Sequence, residues 1–232
     1  MVPILSVLFG ICCVGIVIIL RLLIVIRSGS RCKPGQKGPV CVLVVAGSGG
    51  HTTEILRLMA SLSQSYSPRH YVIADTDKMS EDKIRAYESL ENGQESKTCT
   101  HMYKTITQVT HRETQFTVHR IPRSREVRQS WSSSVASTLN AIRFSIPLMF
   151  QLRPDMVLCN GPGTCVPLCL AGLLLGTVGL KKVVIVYVES ICRVETLSLS
   201  GKILYHLSDY FFVQWSTLKD KYPKAIYLGR IV

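Results

Sequence analysis

"VCVLVVAGSGGHTTEIL", residues 40–56, sets an apolar run rich in valine directly before a glycine turn and a segment with helical character. A run that is apolar at every position fits a strand buried on both faces, as in parallel sheets. The same alternation of apolar run and helical stretch repeats along the chain. Strands are expected at residues 40–46, 70–74, 155–159, 182–188, 210–214 and near 225–228, and helices at 51–64, 79–90, 131–152, 164–178, 197–208 and 216–221. The pattern predicts an α/β fold, with one Rossmann-like parallel-sheet domain over residues 40–232 and helices on both faces of the sheet. Residues 91–118 are polar without a sustained period and read as a loop insertion, with one strand around Phe116.

In such a fold ligands lie beyond the carboxyl ends of the strands, where helix N-termini aim unpaired amides outward. The turn of Gly47, Ser48, Gly49 and Gly50 occupies that position and lets the backbone approach an anion closely. It is not a dinucleotide fingerprint, because Thr52 stands where the third glycine belongs, and no Gly-Lys-Ser/Thr follows to make a Walker loop. A tight turn with no ligand is the plainer alternative. His51 opens the helix, and an imidazole with an ordinary pKa of about 6.5 suits a general base or a phosphate donor; the alternative is a histidine that only bonds the turn.

Two further strand ends have the same design. "CNGPGTCVP", residues 159–167, supplies Asn160, Gly161, Gly163 and Thr164, with Thr164 expected to cap the next helix. "YVESICRVET", residues 187–196, places Glu189 and Glu195 with Arg193, either as a polar pocket wall or as an internal ion pair. Upstream, "HRIPRSREVR", residues 119–128, gathers Arg120, Arg123, Arg125 and Arg128. That cluster suits a diphosphate or acidic head groups, with a solvated charged face as the other reading. His101, His111 and His119 fit no metal-site spacing, so neither a metal nor a cofactor is expected.

Residues 4–26 carry one charge, Arg21, near their C-terminal end. As a helix rising about 1.5 Å per residue they cover roughly 34 Å, against a hydrocarbon core of about 30 Å, which predicts a transmembrane anchor. A cleaved signal peptide would need a basic leading region and a small-x-small site, and neither is clear. Arg27, Arg31, Lys33 and Lys37 follow the span, so the positive-inside rule puts residues 1–3 in the lumen or exterior and the main domain in the cytosol. Residues 27–39, basic and rich in Gly, Pro and Ser, read as a flexible linker. The nine cysteines are odd in number, without CxxC or zinc spacing, in keeping with a reducing compartment. Cys12 and Cys13 read as small apolar residues of the anchor, and Cys32 stands where palmitoylation occurs. The net charge of +12 favours anionic partners, and 232 residues suffice for one sizeable core.

The segments "VVAGSGGHTTEILRL", "HRIPRSREV", "LCNGPGTCVP", "VVIVYVESICRVETLSLSGKILYHLSDYFFVQW" and "YLGRIV", behind an N-terminal anchor, resemble the membrane-anchoring subunit family of the eukaryotic UDP-N-acetylglucosamine transferase that acts on dolichol-linked N-acetylglucosamine. The resemblance covers almost the whole chain except residues 91–118. It implies the acceptor half of a GT-B glycosyltransferase, similar to the N-terminal half of the bacterial lipid-linked N-acetylglucosaminyltransferase. It further implies a soluble donor-binding catalytic subunit as partner, a dolichol-linked acceptor, an endoplasmic reticulum membrane location and no nucleic acid. A GT-B transferase needs two Rossmann-like halves and this chain has length for one, so activity is expected only with the partner. On this reading His51 is the base, and Gly47, Ser48, Gly49, Gly50, Thr52, Arg123, Arg125, Asn160, Gly161, Gly163, Thr164, Glu189 and Arg193 hold the acceptor and its phosphates. The rival reading is a pure membrane scaffold for a cytosolic enzyme.

Overall fold

The computed structural model describes residues 2–27, 38–99, 116–126 and 129–232. After the helix α1 (Val2–Arg27), strands and helices alternate as β1 (Val42–Val45), α2 (Gly50–Ala60), β2 (Arg69–Ala74), α3 (Lys78–Cys99), β3 (Phe116–Ile121), α4 (Trp131–Leu152), β4 (Met156–Asn160), α5 (Cys165–Thr177), β5 (Val184–Val188), α6 (Leu199–Leu207), β6 (Tyr210–Val213), α7 (Ser216–Lys221) and β7 (Ile226–Tyr227). The strands form one sheet in the order β3-β2-β1-β4-β5-β6-β7. All are parallel neighbours, with Val45 beside Val72 on one flank and Cys159 on the other. This is the doubly wound order, in which the chain reverses direction across the sheet between β1 and β4 and opens a crevice there.

Strand alternation sorts the core into two layers. Leu43, Val45, Val157, Cys159, Ile185 and Tyr187 point to the side covered by α4, α5 and α6. Val42, Val44, Tyr71, Ile73 and Leu158 point to the side covered by α2 and α3, where Ile55, Met59 and Ile84 complete the layer. The apolar runs of the sequence are thus buried on both sides, as parallel strands require. Helix ends follow local chemistry. Ser130 caps α4 by accepting from the Ser133 amide, and Arg153, left-handed at φ 43°, ends it before Pro154.

Two expectations are corrected. The stretch read as a loop from residue 91 starts as helix, since α3 runs to Cys99, and β3 begins at Phe116. Residues 91–99 are polar on all sides but include Glu, Gln and Lys, whose intrinsic propensity sustains a helix without an apolar period. Residues 100–115, with His101 and His111, lie outside the described residues, as do residues 28–37 of the linker with Cys32, and Arg128. Thr164 occupies the N-cap position of α5 but is itself helical, at φ −59° and ψ −20°, and makes no capping bond. Its buried hydroxyl is not extended toward the amides it was expected to cap.

At the N-terminus α1 is helical through the apolar stretch. Its last turns pack on the domain, where Leu22, Val25 and Ile26 join the core layer around α5. Before that contact, the turns holding Ile16, Val17, Ile18, Ile19 and Leu20 are more than half exposed all round. Among the described residues no helix is long and apolar enough to cross a membrane. The described side chains of α1 begin only at Cys12.

Candidate functional site

β1 and β4 are neighbours, so the glycine turns that leave their carboxyl ends meet over the crevice. Their approach is close. A Cβ added at Gly47 would stand 2.7 Å from Cγ of Pro162, and one at Gly161 would stand 2.6 Å from Cε1 of His51. Gly49 precedes α2 at φ 66°, ψ −121°, a region open in practice to glycine, and Gly50 at the start of α2 lines the crevice. Beneath the turn, the Thr52 hydroxyl donates to the Gly47 carbonyl and lies 2.6 Å from Ser80 Oγ, which in turn donates to Asp77 Oδ2 at 2.6 Å. Thr52 is therefore a buried brace of the turn and offers nothing to the crevice, contrary to its expected place among the phosphate ligands.

The crevice is a cavity of about 340 Å³ lined by Gly50, His51, Glu54, Gly161, Glu189, Ser190, Cys192, Arg193 and Ser198. His51 Nδ1 lies 3.2 Å from Oδ1 of Asn160, and Asn160 Nδ2 donates to the Val188 carbonyl at 3.4 Å. Because the amide group is committed to Val188, the oxygen faces the imidazole and accepts, which puts the proton on Nδ1 and leaves the Nε2 lone pair unprotonated. Glu54 reinforces that tautomer. Its Oε2 stands 3.8 Å from the same Nδ1, is buried without a hydrogen-bond partner, and its Oε1 accepts from Ser190 Oγ at 2.8 Å. The Glu54 carboxylate raises the His51 pKa above its ordinary value, against the opposing effect of burial. Burial pushes Glu54 itself upward, but the neighbouring His51, Asn160 and Ser190 groups outweigh it and leave its pKa lowered.

Glu189 forms the far wall. It is fully buried at the end of β5, where its Oε2 accepts from the amide and the hydroxyl of Ser198, both at 3.1 Å, and its Oε1 from the Ser190 amide at 3.2 Å. Ser198 also caps α6 by accepting from the Gly201 amide at 2.9 Å. Burial raises the Glu189 pKa despite these bonds. Of the two readings of this segment, the internal ion pair is not formed: Arg193 is exposed, forms no salt bridge among the described residues, and acts on Glu189 only as a more distant charge. Arg193 instead borders the cavity.

The structure thus brings together His51, Gly50, Asn160, Gly161, Glu189 and Arg193, with Gly47 and Gly49 shaping the turn. Ser48 is exposed on its outer side. Gly163 and Arg125 border a second, adjoining groove, and Arg123 lines neither space. Arg120 is bound to Glu81 and to the Asp75 carbonyl, so it serves the edge of the sheet. Glu54, Ser190 and Ser198 were missed by sequence reasoning. For Glu54 a signal existed, since a residue three positions after His51 on a helix shares its face.

Comparisons with known proteins identify relatives of this chain. Residues 42–231 match the family described as "Oligosaccharide biosynthesis protein Alg14 like". The chain is 58% identical over 219 residues, 94% of each chain, to the Homo sapiens protein named UDP-N-acetylglucosamine transferase subunit ALG14. It is 60% identical over 218 residues to the Rattus norvegicus protein of that name, again 94% of each chain, and 40% identical over 206 residues, 87% of each, to the Schizosaccharomyces pombe one. Among solved structures, the Acinetobacter baumannii MurG crystal structure is similar over 75% of this chain and 41% of that one, at 17% identity and a TM-score of 0.47. With its family match spanning β1 to the residues after β7, the chain belongs to the Alg14-like family of oligosaccharide biosynthesis proteins.

Proposed function

We propose that this chain is the membrane-anchored, acceptor-binding subunit of a two-chain UDP-N-acetylglucosamine transferase, adding the second N-acetylglucosamine to a dolichol-linked diphosphate acceptor at the cytosolic face of the endoplasmic reticulum. The names of its relatives support the subunit role. The observation that carries the acceptor role is His51, whose Nδ1 side is held by Asn160 and Glu54 and whose Nε2 stays basic at the mouth of a cavity between two glycine loops. In the transfer, Nε2 takes the proton of the acceptor sugar hydroxyl as that oxygen bonds to the donor sugar's C1 and UDP leaves. The first amides of α2 and the Arg193 guanidinium supply the positive field for the acceptor diphosphate. The donor is held by a soluble partner subunit, because the one sheet here accounts for a single Rossmann-like half. The apolar, exposed turns of α1 over residues 16–20 support insertion in a bilayer, with the arginine-flanked end on the cytosolic side.

The test is reconstitution of the chain with its soluble partner in dolichol-containing vesicles. Transfer to the lipid-linked acceptor should need both chains, and His51→Ala should remove most of it while the partner still co-purifies. Full turnover in that variant would leave the chain as a scaffold only.

A further inference from the structure

Beside the polar cavity runs a groove of about 500 Å³ between α4 and α6. Its walls are Val135 and Leu139 from α4, Val166 from α5, and Leu199 and Ile203 from α6, and its accessible lining is mostly apolar. Four of these side chains stand open to solvent, with Val135 60%, Leu139 61%, Leu199 47% and Ile203 40% exposed. Among the described residues, none of the four belongs to either core layer. Single exposed aliphatic residues are ordinary, but several facing one another across a concave surface mark a binding groove.

The groove is continuous with the crevice, because Gly161, Arg193 and Ser198 border both spaces. An occupant that fills both must carry an anionic head beside Arg193 and the helix amides and an aliphatic chain along α4 and α6. We infer that the α4–α6 groove holds the first isoprene units of a polyprenyl-diphosphate acceptor. This rests on the acceptor reading of the His51 crevice given above, and it turns a site for a diphosphate sugar into one that also measures the lipid. The placement of α1 agrees with it. Helices α4, α5 and α6 cover one face of the sheet, and α1 packs against α5 on that same face, so the groove opens on the side where the apolar helix lies.

Chain length separates the two readings. The reconstituted complex is given N-acetylglucosaminyl diphosphate carried either on a long polyprenol or on a single isoprene unit, and kcat/KM is measured for each. Leu139→Gln/Ile203→Gln should lower the long-to-short ratio about tenfold or more, the scale expected when two aliphatic side chains lose their apolar contact. Met79→Gln, an exposed apolar residue on the opposite face, should leave the ratio where it is. A long acceptor bearing a diazirine on its second isoprene unit should label α4 or α6 peptides. An unchanged ratio in the double variant, an equal loss with both acceptors, or labelling confined to other segments overturns the groove assignment while the crevice reading stands. Loss of the partner chain from the double variant would assign the groove to a protein interface and overturns it too. A wild-type complex that transfers to neither acceptor sinks the crevice reading and this inference together.

Discussion

The imidazole of His51 lies flat against Gly161, so close that a β-carbon on that glycine would stand 2.6 Å from Cε1 and 2.7 Å from Nδ1. Gly161 is also at φ 69°, where any side chain is strained. Gly161→Ala must therefore move the imidazole or the loop. Displacing a base by about 1 Å costs on the order of 10²-fold in rate. The transfer assay on the reconstituted complex should show that loss with partner binding intact, and wild-type turnover would mean that the His51 position is not critical.

Removing the imidazole outright is the more direct probe. His51→Ala should cost about 10²- to 10⁴-fold in turnover, the usual range for a positioned base. The His51 side chain is 36% exposed and belongs to neither core layer, so melting temperature should hardly move.

Glu54→Gln separates proton transfer from simple hydrogen bonding. The Glu54 carboxylate raises the His51 pKa, and a base works in its neutral form, above its pKa. The charge therefore shifts the acid limb of the rate profile to higher pH, and its removal should shift that limb to lower pH. A profile that keeps its acid limb in Glu54→Gln would show that the limb does not report His51.

The buried carboxylate of Glu189 depends on the glycine at 201, since an added β-carbon there would collide with Glu189 Oε2. Gly201→Ala should push the carboxylate off Ser198 and leave a buried acceptor short of its donors, a loss of about 1–3 kcal/mol. Thermal unfolding of the intact complex measures it, and an unaltered midpoint would show that α6 shifts freely to make room.

A reporter fused after Val232 should be found in the cytosol, because basic residues crowd the C-terminal flank of α1. Glycosylation of an acceptor tag at that position would reverse the orientation.

Element type was legible wherever packing leaves a period. The valine-rich strands and the helix over residues 131–152 declare themselves because each buries a face. The sequence of the end of α3 is polar with no apolar period, so pattern alone predicts a loop there. For the site, the glycines and His51 stood out as breaks in apolar pattern, but the neighbour relation of β1 and β4 that joins their loops is a property of strand order, which no local pattern encodes. Direction was the other hidden quantity. Thr52 has the chemistry expected of it, yet its hydroxyl turns inward to the Gly47 carbonyl.

Where α1 meets α5 the fit is keyed by two glycines. A β-carbon at Gly176 would stand 3.2 Å from Val25 Cγ1, and one at Gly179 would stand 2.7 Å from Nη1 of Arg21. The helix is thus a mount with a set bearing, not a mooring line. Extra residues spliced in between Arg27 and Gly38 would leave that bearing alone, whereas an unrelated hydrophobic helix in place of α1 would lose it, and under the proposed anchoring role the glycine loops would then face the bilayer in no particular way.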